Sequence, residues 1–102
     1  MGLEIIIKKR FLNRLKIITK YLKDNWGKKE ADAFVILVIE KIDVVAAYPK
    51  LGTDTSIKNT KSILAGKGNQ NKIYYRVEKN KLIVIDMKDT RMNPKRNRFY
   101  SK

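Results

Sequence analysis

Apolar residues recur at helical spacing from Phe11 to Val45 and at the spacing of extended chain from Ile73 to Val77. That change of period constrains the fold more than any other feature, because it separates a helical first half from a sheet-forming second half and points to the α+β class. Phe11, Leu15, Ile18 and Leu22 stand at i, i+4, i+7 and i+11, with Asn13, Arg14, Lys16, Lys20 and Lys23 on the other side. This is an amphipathic helix with one core-facing stripe. Asp24-Asn25-Trp26-Gly27 permits a reversal. A second helix is predicted over 28–47, with Ala31, Phe34, Val35, Val38, Ile42 and Val45 on one face and Pro49 as its stop.

Leu3 to Ile7 reads as a short strand ahead of the helices, and 48–61 reads as a polar loop in which Pro49, Gly52 and Asp54 form turns. Three strands follow, at 62–65, 73–77 and 82–87, the last two joined by a Lys79-Asn80 turn that sets Glu78 opposite Lys81. In the middle one, Ile73, Tyr75 and Val77 share the face expected toward the helices, and Lys72, Tyr74 and Arg76 share the other. Only one of the two tyrosines can face a cleft. Gly66-Lys67-Gly68-Asn69-Gln70-Asn71 lacks the order of a phosphate-binding P-loop and precedes a strand, so it reads as a hairpin connection. The second helix carries more apolar surface than one stripe needs, since Ile36, Leu37, Ile39 and Val44 fall partly outside it. Either the helix is buried on both sides, or a partner protein covers an exposed strip.

The 102 residues suffice for one domain, with the segment from about 91 to 102 as a basic tail or flap. The chain has neither His nor Cys, which excludes imidazole acid–base catalysis, thiolate nucleophiles, disulfides and zinc sites built on those ligands; no metal and no cofactor are expected. Lys and Arg number 24 against 10 Asp and Glu, a formal charge of +14, so an outside anion is the natural partner. Residues 1–50 hold eleven cations and six carboxylates and residues 51–102 hold thirteen and four, placing the anion-facing surface in the second half. The longest apolar run, Ala33 to Ile39, is seven residues, far below the ~20 that span a bilayer. Neither a secretory h-region nor a myristoylation pattern is present at the start, and a cytoplasmic location without membrane contact is expected.

Tyr21-Leu22 with Asn25-Trp26-Gly27 and Ala31-Asp32-Ala33-Phe34, then Tyr48-Pro49-Lys50-Leu51-Gly52, Asn71 to Val77 and Asp89-Thr90-Arg91-Met92-Asn93-Pro94, together resemble the RelE/ParE superfamily of bacterial toxins from type II toxin–antitoxin modules. The resemblance runs from Ile5 to Pro94 and implies an N-terminal strand, a two-helix hairpin packed on a twisted antiparallel sheet of about four strands, and a basic C-terminal tail. It implies an acidic antitoxin that wraps the helices and the cleft in a hetero-oligomer, with Ile36, Ile39 and Val44 as partner-binding residues.

The ribonuclease members of the superfamily cut messenger RNA on the ribosome, without metal, by attack of a 2′-hydroxyl on the adjacent phosphate. Positioned cations lower that barrier because charge localises in the transition state. By resemblance Arg91 stabilises the phosphate, Lys72 and Arg76 contact it, and Tyr74 stacks a base or positions the attacking group. Lys61, Lys67, Lys95 and Arg96 are the substrate-binding candidates around them, and the structural alternative, to which Lys61 and Lys67 at the rim lean, is an ordinary solvated cation on a sheet face. The structural alternative for Arg91 is an ion pair with Asp86 or Asp89. This chain differs from the ribosome-dependent ribonucleases at Ser62-Ile63-Leu64-Ala65, which is uncharged where they carry closely spaced cations. A second branch poisons DNA gyrase without a catalytic cleft and shares the Pro49-Lys50-Leu51-Gly52 stretch. The cationic and aromatic residues favour RNA cleavage; gyrase poisoning and a member that only binds its antitoxin stay open.

Overall fold

In the structure, a computed structural model that describes residues 2–66, 68 and 70–89, strand β1 (Glu4–Ile7) leads into helices α1 (Lys9–Trp26) and α2 (Lys28–Ala47). Four strands follow, β2 (Thr53–Asp54), β3 (Lys61–Ala65), β4 (Asn71–Glu78) and β5 (Lys81–Asp89). Lys67, Arg91, Lys95 and Arg96 lie outside the described residues.

The helix pair forms as the period demands. Phe11, Ile18 and Leu22 of α1 and Ala31, Phe34, Val38, Ile42 and Val45 of α2 are buried, and Leu15 and Val35 pack against them partly covered. One residue joins the helices. Gly27 adopts φ +99°, which side chains other than hydrogen rarely allow; its N–H closes α1 on the Lys23 carbonyl at 3.0 Å, and its own carbonyl accepts the Ala31 N–H at 3.2 Å to open α2. The Tyr48 N–H ends α2 on the Val44 carbonyl at 2.8 Å, and Pro49 starts a single 3₁₀ turn, Pro49–Leu51.

The sheet order is β1-β5-β4-β3-β2. It departs from the sequence expectation in two ways. There are five strands where about four were expected, because Thr53–Asp54 adds a two-residue edge strand inside the segment read as loop. The sheet is also mixed, since β1 runs parallel to β5 while every other pairing is antiparallel. Two residues are too few to show a period, and strand direction depends on a crossover through both helices that local alternation does not encode. The hairpin turn falls at Lys79-Asn80 as expected, with Glu78 paired to Lys81.

The helices cover one face of the sheet, sealed by Ile73 and Tyr75 of β4 and by Leu82, Val84 and Met87 of β5. Val77, expected on that face under the helices, is exposed near the turn end of β4. The Tyr75 hydroxyl ties the α2–β2 connection to this core: it donates to the Pro49 carbonyl at 2.8 Å and accepts the Gly52 N–H at 3.0 Å. Among the described residues no helix is long and apolar enough to cross a membrane.

Candidate functional site

A bulge sets the chemistry of the open sheet face. Tyr74 pairs with Asp86 and Tyr75 with Val84, so Ile85 has no partner on β4. Strict alternation along β5 would place Asp86 on the face of Leu82 and Val84, in the core. The extra residue turns Asp86 and Lys88 to the open face and Met87 inward, where it is fully buried. The open face then carries three cross-strand pairs, Lys72 with Lys88, Tyr74 with Asp86, and Arg76 with Ile83.

Arg10 and Arg14, one turn apart near the start of α1, meet that face and complete a cleft of about 430 Å³ with Tyr74, Arg76, Asp86 and Lys88; Ile57, Thr60 and Ile85 line it as well. Asp86 sits in the middle. Its Oδ1 accepts the Met87 N–H at 2.7 Å, while Arg14 Nε and Lys88 Nζ stand 4.0 and 3.8 Å from the carboxylate. Tyr74 is 4% exposed. Burial, with the Asp86 charge beside it, pushes the phenol up to about 12, so at neutral pH it is a proton donor and not a base. Its ring lacks an open face on which a base can stack.

The raised phenol makes stability depend on alkaline pH. Unfolded tyrosine loses its proton near 10, before the folded Tyr74 does, so the unfolded state binds fewer protons between pH 10 and about 12 and stability falls across that window. Tyr75 is raised too, chiefly by burial, and contributes in the same direction. Urea unfolding at pH 8 and pH 11 should show a loss on the order of 1–2 kcal/mol that Tyr74→Phe reduces. An unchanged loss in that variant would remove Tyr74 as its source.

A larger depression of about 680 Å³ lies beside the cleft, lined by Asp54, Lys58, Lys61, Arg76 and Glu78 among others. Its cations are largely answered. Lys61 Nζ bonds Asp54 Oδ1 at 2.8 Å and Arg76 Nε bonds Glu78 Oε2 at 2.8 Å. The hydrogen bond to Asp54 raises the Lys61 ammonium further, which keeps it charged.

Of the residues singled out by sequence, Tyr74 and Arg76 share the cleft, Lys72 stands on the same face beside Lys88, and Lys61 lines the neighbouring depression. Arg10, Arg14, Asp86 and Lys88 are the additions. An Arg pair at i, i+4 was a visible signal for the first two, since that spacing puts both on one helix face; Asp86 and Lys88 had none, because the bulge reverses their parity. On α2 the exposed strip is the arrangement found. Ile36 is 56%, Ile39 52% and Val44 42% exposed, since α1 and the sheet cover only one side of the helix.

The family model for the ParE toxin of the type II toxin–antitoxin system parDE matches residues 5–94. The chain belongs to that family. It is the toxin of a type II toxin–antitoxin module, and an antitoxin is its partner. Among solved structures, a chain of the chromosomal ParDE system from P. aeruginosa superposes with a TM-score of 0.77 at 11% identity, covering 86% of this chain and 96% of that one. That similarity supports the ParE fold of two helices on a sheet. A conserved hypothetical protein from Helicobacter pylori, known from a solution structure, matches with a TM-score of 0.46 at 14% identity, over 85% of this chain and 93% of its own. No curated protein matches the chain in sequence.

Proposed function

We propose that this ParE toxin inhibits growth by binding, as a poison of DNA gyrase, and that its antitoxin neutralises it by covering the apolar strip of α2. The observation that carries the reading is the engagement of three of the groups RNA cleavage would recruit. Arg76 is held by Glu78 at 2.8 Å, Lys61 by Asp54 at 2.8 Å, and Tyr74 is buried with its proton retained. A cation held by its own carboxylate gains less from a developing phosphorane charge, because the new attraction replaces an old one. Family membership supports the same reading, since the gyrase-poisoning branch of the superfamily is the ParE one.

The antitoxin assignment rests on exposure and charge. Ile36, Ile39 and Val44 form an uncovered apolar strip, and the adjoining groove between α1 and α2 is lined by Leu15 and Val35 with Lys16, Lys20 and Lys23 around them. An acidic segment with apolar side chains satisfies both features.

A second reading, ribosome-dependent messenger RNA cleavage, draws on the four cations that share the open-face cleft. Induced expression with parallel readouts separates the two. Negative supercoiling of a reporter plasmid should be lost while transcripts stay intact. Fragmented transcripts with normal supercoiling would replace the gyrase reading with the ribonuclease one, and unimpaired growth would leave a chain that only binds its antitoxin.

A further inference from the structure

The charge of the chain is not spread evenly. Residues 30–49, most of α2 and its end, hold one Lys and four carboxylates, a net −3, while the other 82 residues hold twenty-three cations and six carboxylates, a net +17. α2, unlike α1, is therefore a helix at which two copies can approach without stacking like charge. Its exposed side is also ordered. Lys29, Ala33, Ile36, Glu40 and Asp43 follow one another at steps of four and three, and all five are exposed, opposite the buried side of the helix. Steps of four and three keep residues on one seam. The seam carries its cation first and its carboxylates last, the order that a helix's own dipole disfavours. Lys29, Glu40 and Asp43 make no ion pair among the described residues. A neighbour carrying the same seam in the opposite direction answers both features.

We propose that the free toxin pairs with a second copy of itself through α2, the two helices antiparallel about a twofold axis at Ile36, until the antitoxin takes the strip. The spacing of the seam places the axis. Lys29 and Asp43 stand equally far before and after Ile36, about two turns each way, so each meets the other's counterpart across the axis and the ion pair forms twice. Ala33 and Ile39 also flank Ile36 symmetrically, so a small side chain faces a large one and the helix axes can close to about 8–10 Å. Glu40 falls opposite Asp32 of the second copy, which Lys28 already holds at 2.7 Å, so it meets an ion pair and not a bare carboxylate. Ile36 and Ile39, 56% and 52% exposed in the single chain, leave water. A single helix pair is at the small end of specific interfaces, so association is expected at about 10–100 µM. The contact needs no other partner; only its competition with the antitoxin rests on the reading that the antitoxin covers the same isoleucines.

The test is sedimentation velocity of the full chain, separated from its antitoxin, from about 5 to 500 µM in about 0.15 M salt, where repulsion beyond about 8 Å is screened. An equilibrium between monomer and dimer is expected. Lys29→Asp and Asp43→Lys should each weaken it about tenfold or more, because each sets like charges across the axis twice. Lys29→Asp/Asp43→Lys together should restore it to within about threefold, a rescue that requires the two positions to face each other. Ile36→Cys, in a chain that otherwise lacks Cys, should cross-link to itself on oxidation with copper–phenanthroline, and Leu64→Cys on the sheet face should not. A monomer at every concentration overturns the pairing. So does a charge swap that fails to restore it, an Ile36→Cys protein that stays unlinked, or growth past the dimer, which an isologous contact does not allow. Every substituted position is exposed, so the fold should survive each change.

The pairing and the antitoxin assignment fail separately. Exclusion of the antitoxin from the cross-linked Ile36→Cys dimer supports both. Antitoxin that binds that dimer as tightly as the monomer leaves the pairing standing, overturns the competition and moves the antitoxin off α2. A wild type that stays monomeric, with rescue lost in Ile36→Glu/Ile39→Glu, sinks the pairing and leaves the antitoxin assignment in place.

Discussion

Gly52→Ala should destabilise the toxin by about 3 kcal/mol, a fall in Tm on the order of 10–20 °C for a domain of this size. The cause is space and not backbone preference. Gly52 has φ −73° and ψ 168°, a conformation open to any residue. A methyl there would stand against the Tyr75 hydroxyl, 2.9 Å from its Cε1 and 2.8 Å from the Ser62 carbonyl oxygen. None of these can yield cheaply: Tyr75 is 1% exposed, its hydroxyl holds both Pro49 and Gly52, and Ser62 belongs to the β3 ladder. Either the tyrosine moves and the Gly52 N–H and Pro49 carbonyl lose their shared partner, or the turn lifts from the sheet.

Two comparisons isolate the mechanism. Gly68→Ala, at φ +69° with only Gln70 3.6 Å from the new methyl, should cost about 1 kcal/mol, the left-handed penalty alone. Gly52→Ala in a Tyr75→Phe background should cost less than in the wild type, because the hydroxyl that blocks the methyl is gone. A Gly52→Ala protein that melts within a few degrees of wild type would show that the connection repacks freely, and that the Tyr75 hydroxyl does not pin it.

The second large effect lies on α2. Ile36→Glu/Ile39→Glu should leave toxicity intact and abolish rescue by the antitoxin, with affinity reduced about 100-fold or more. Each isoleucine contributes roughly 1.5–3 kcal/mol when an interface covers it, and a carboxylate in its place adds a desolvation cost. Both positions are more than half exposed in the folded chain, so Tm should move little. Growth on co-expression and titration of the purified pair read the effect directly. Leu64→Glu is a suitable control, since Leu64 is exposed on the open sheet face and not on α2. Undiminished rescue by the isoleucine double would move the antitoxin's main contact away from α2, whatever the toxin's target.

How much of this was legible beforehand follows from the range of each signal. α2 begins and ends where its apolar spacing, Gly27 and Pro49 place it, because helix boundaries are decided by residues within a turn or two. The hairpin turn at Lys79-Asn80 is equally local. The same local reading predicted that Tyr74 would lie on the face opposite the helices, which it does, but not that it would be buried there. It lines a cleft with residues separated from it and from each other by tens of residues, Arg10 and Arg14 of α1 and Ile57 and Thr60 ahead of β3, and no local pattern shows that meeting.

The sequence by itself determined the α+β class, the helix pair, a surplus of +14 without imidazole or thiol, and a resemblance that family membership bears out. Only the tertiary structure decided which of the described cations share a cleft. One unpaired residue, Ile85, turns Asp86 and Lys88 from the core to the open face, and the docking of α1 beside β5 brings Arg10 and Arg14 to meet them. The physical reason is that alternation along a strand has a period of two, so a single insertion reverses every position beyond it. Whether a strand takes that insertion depends on the neighbours packed against it, and those come from distant parts of the chain.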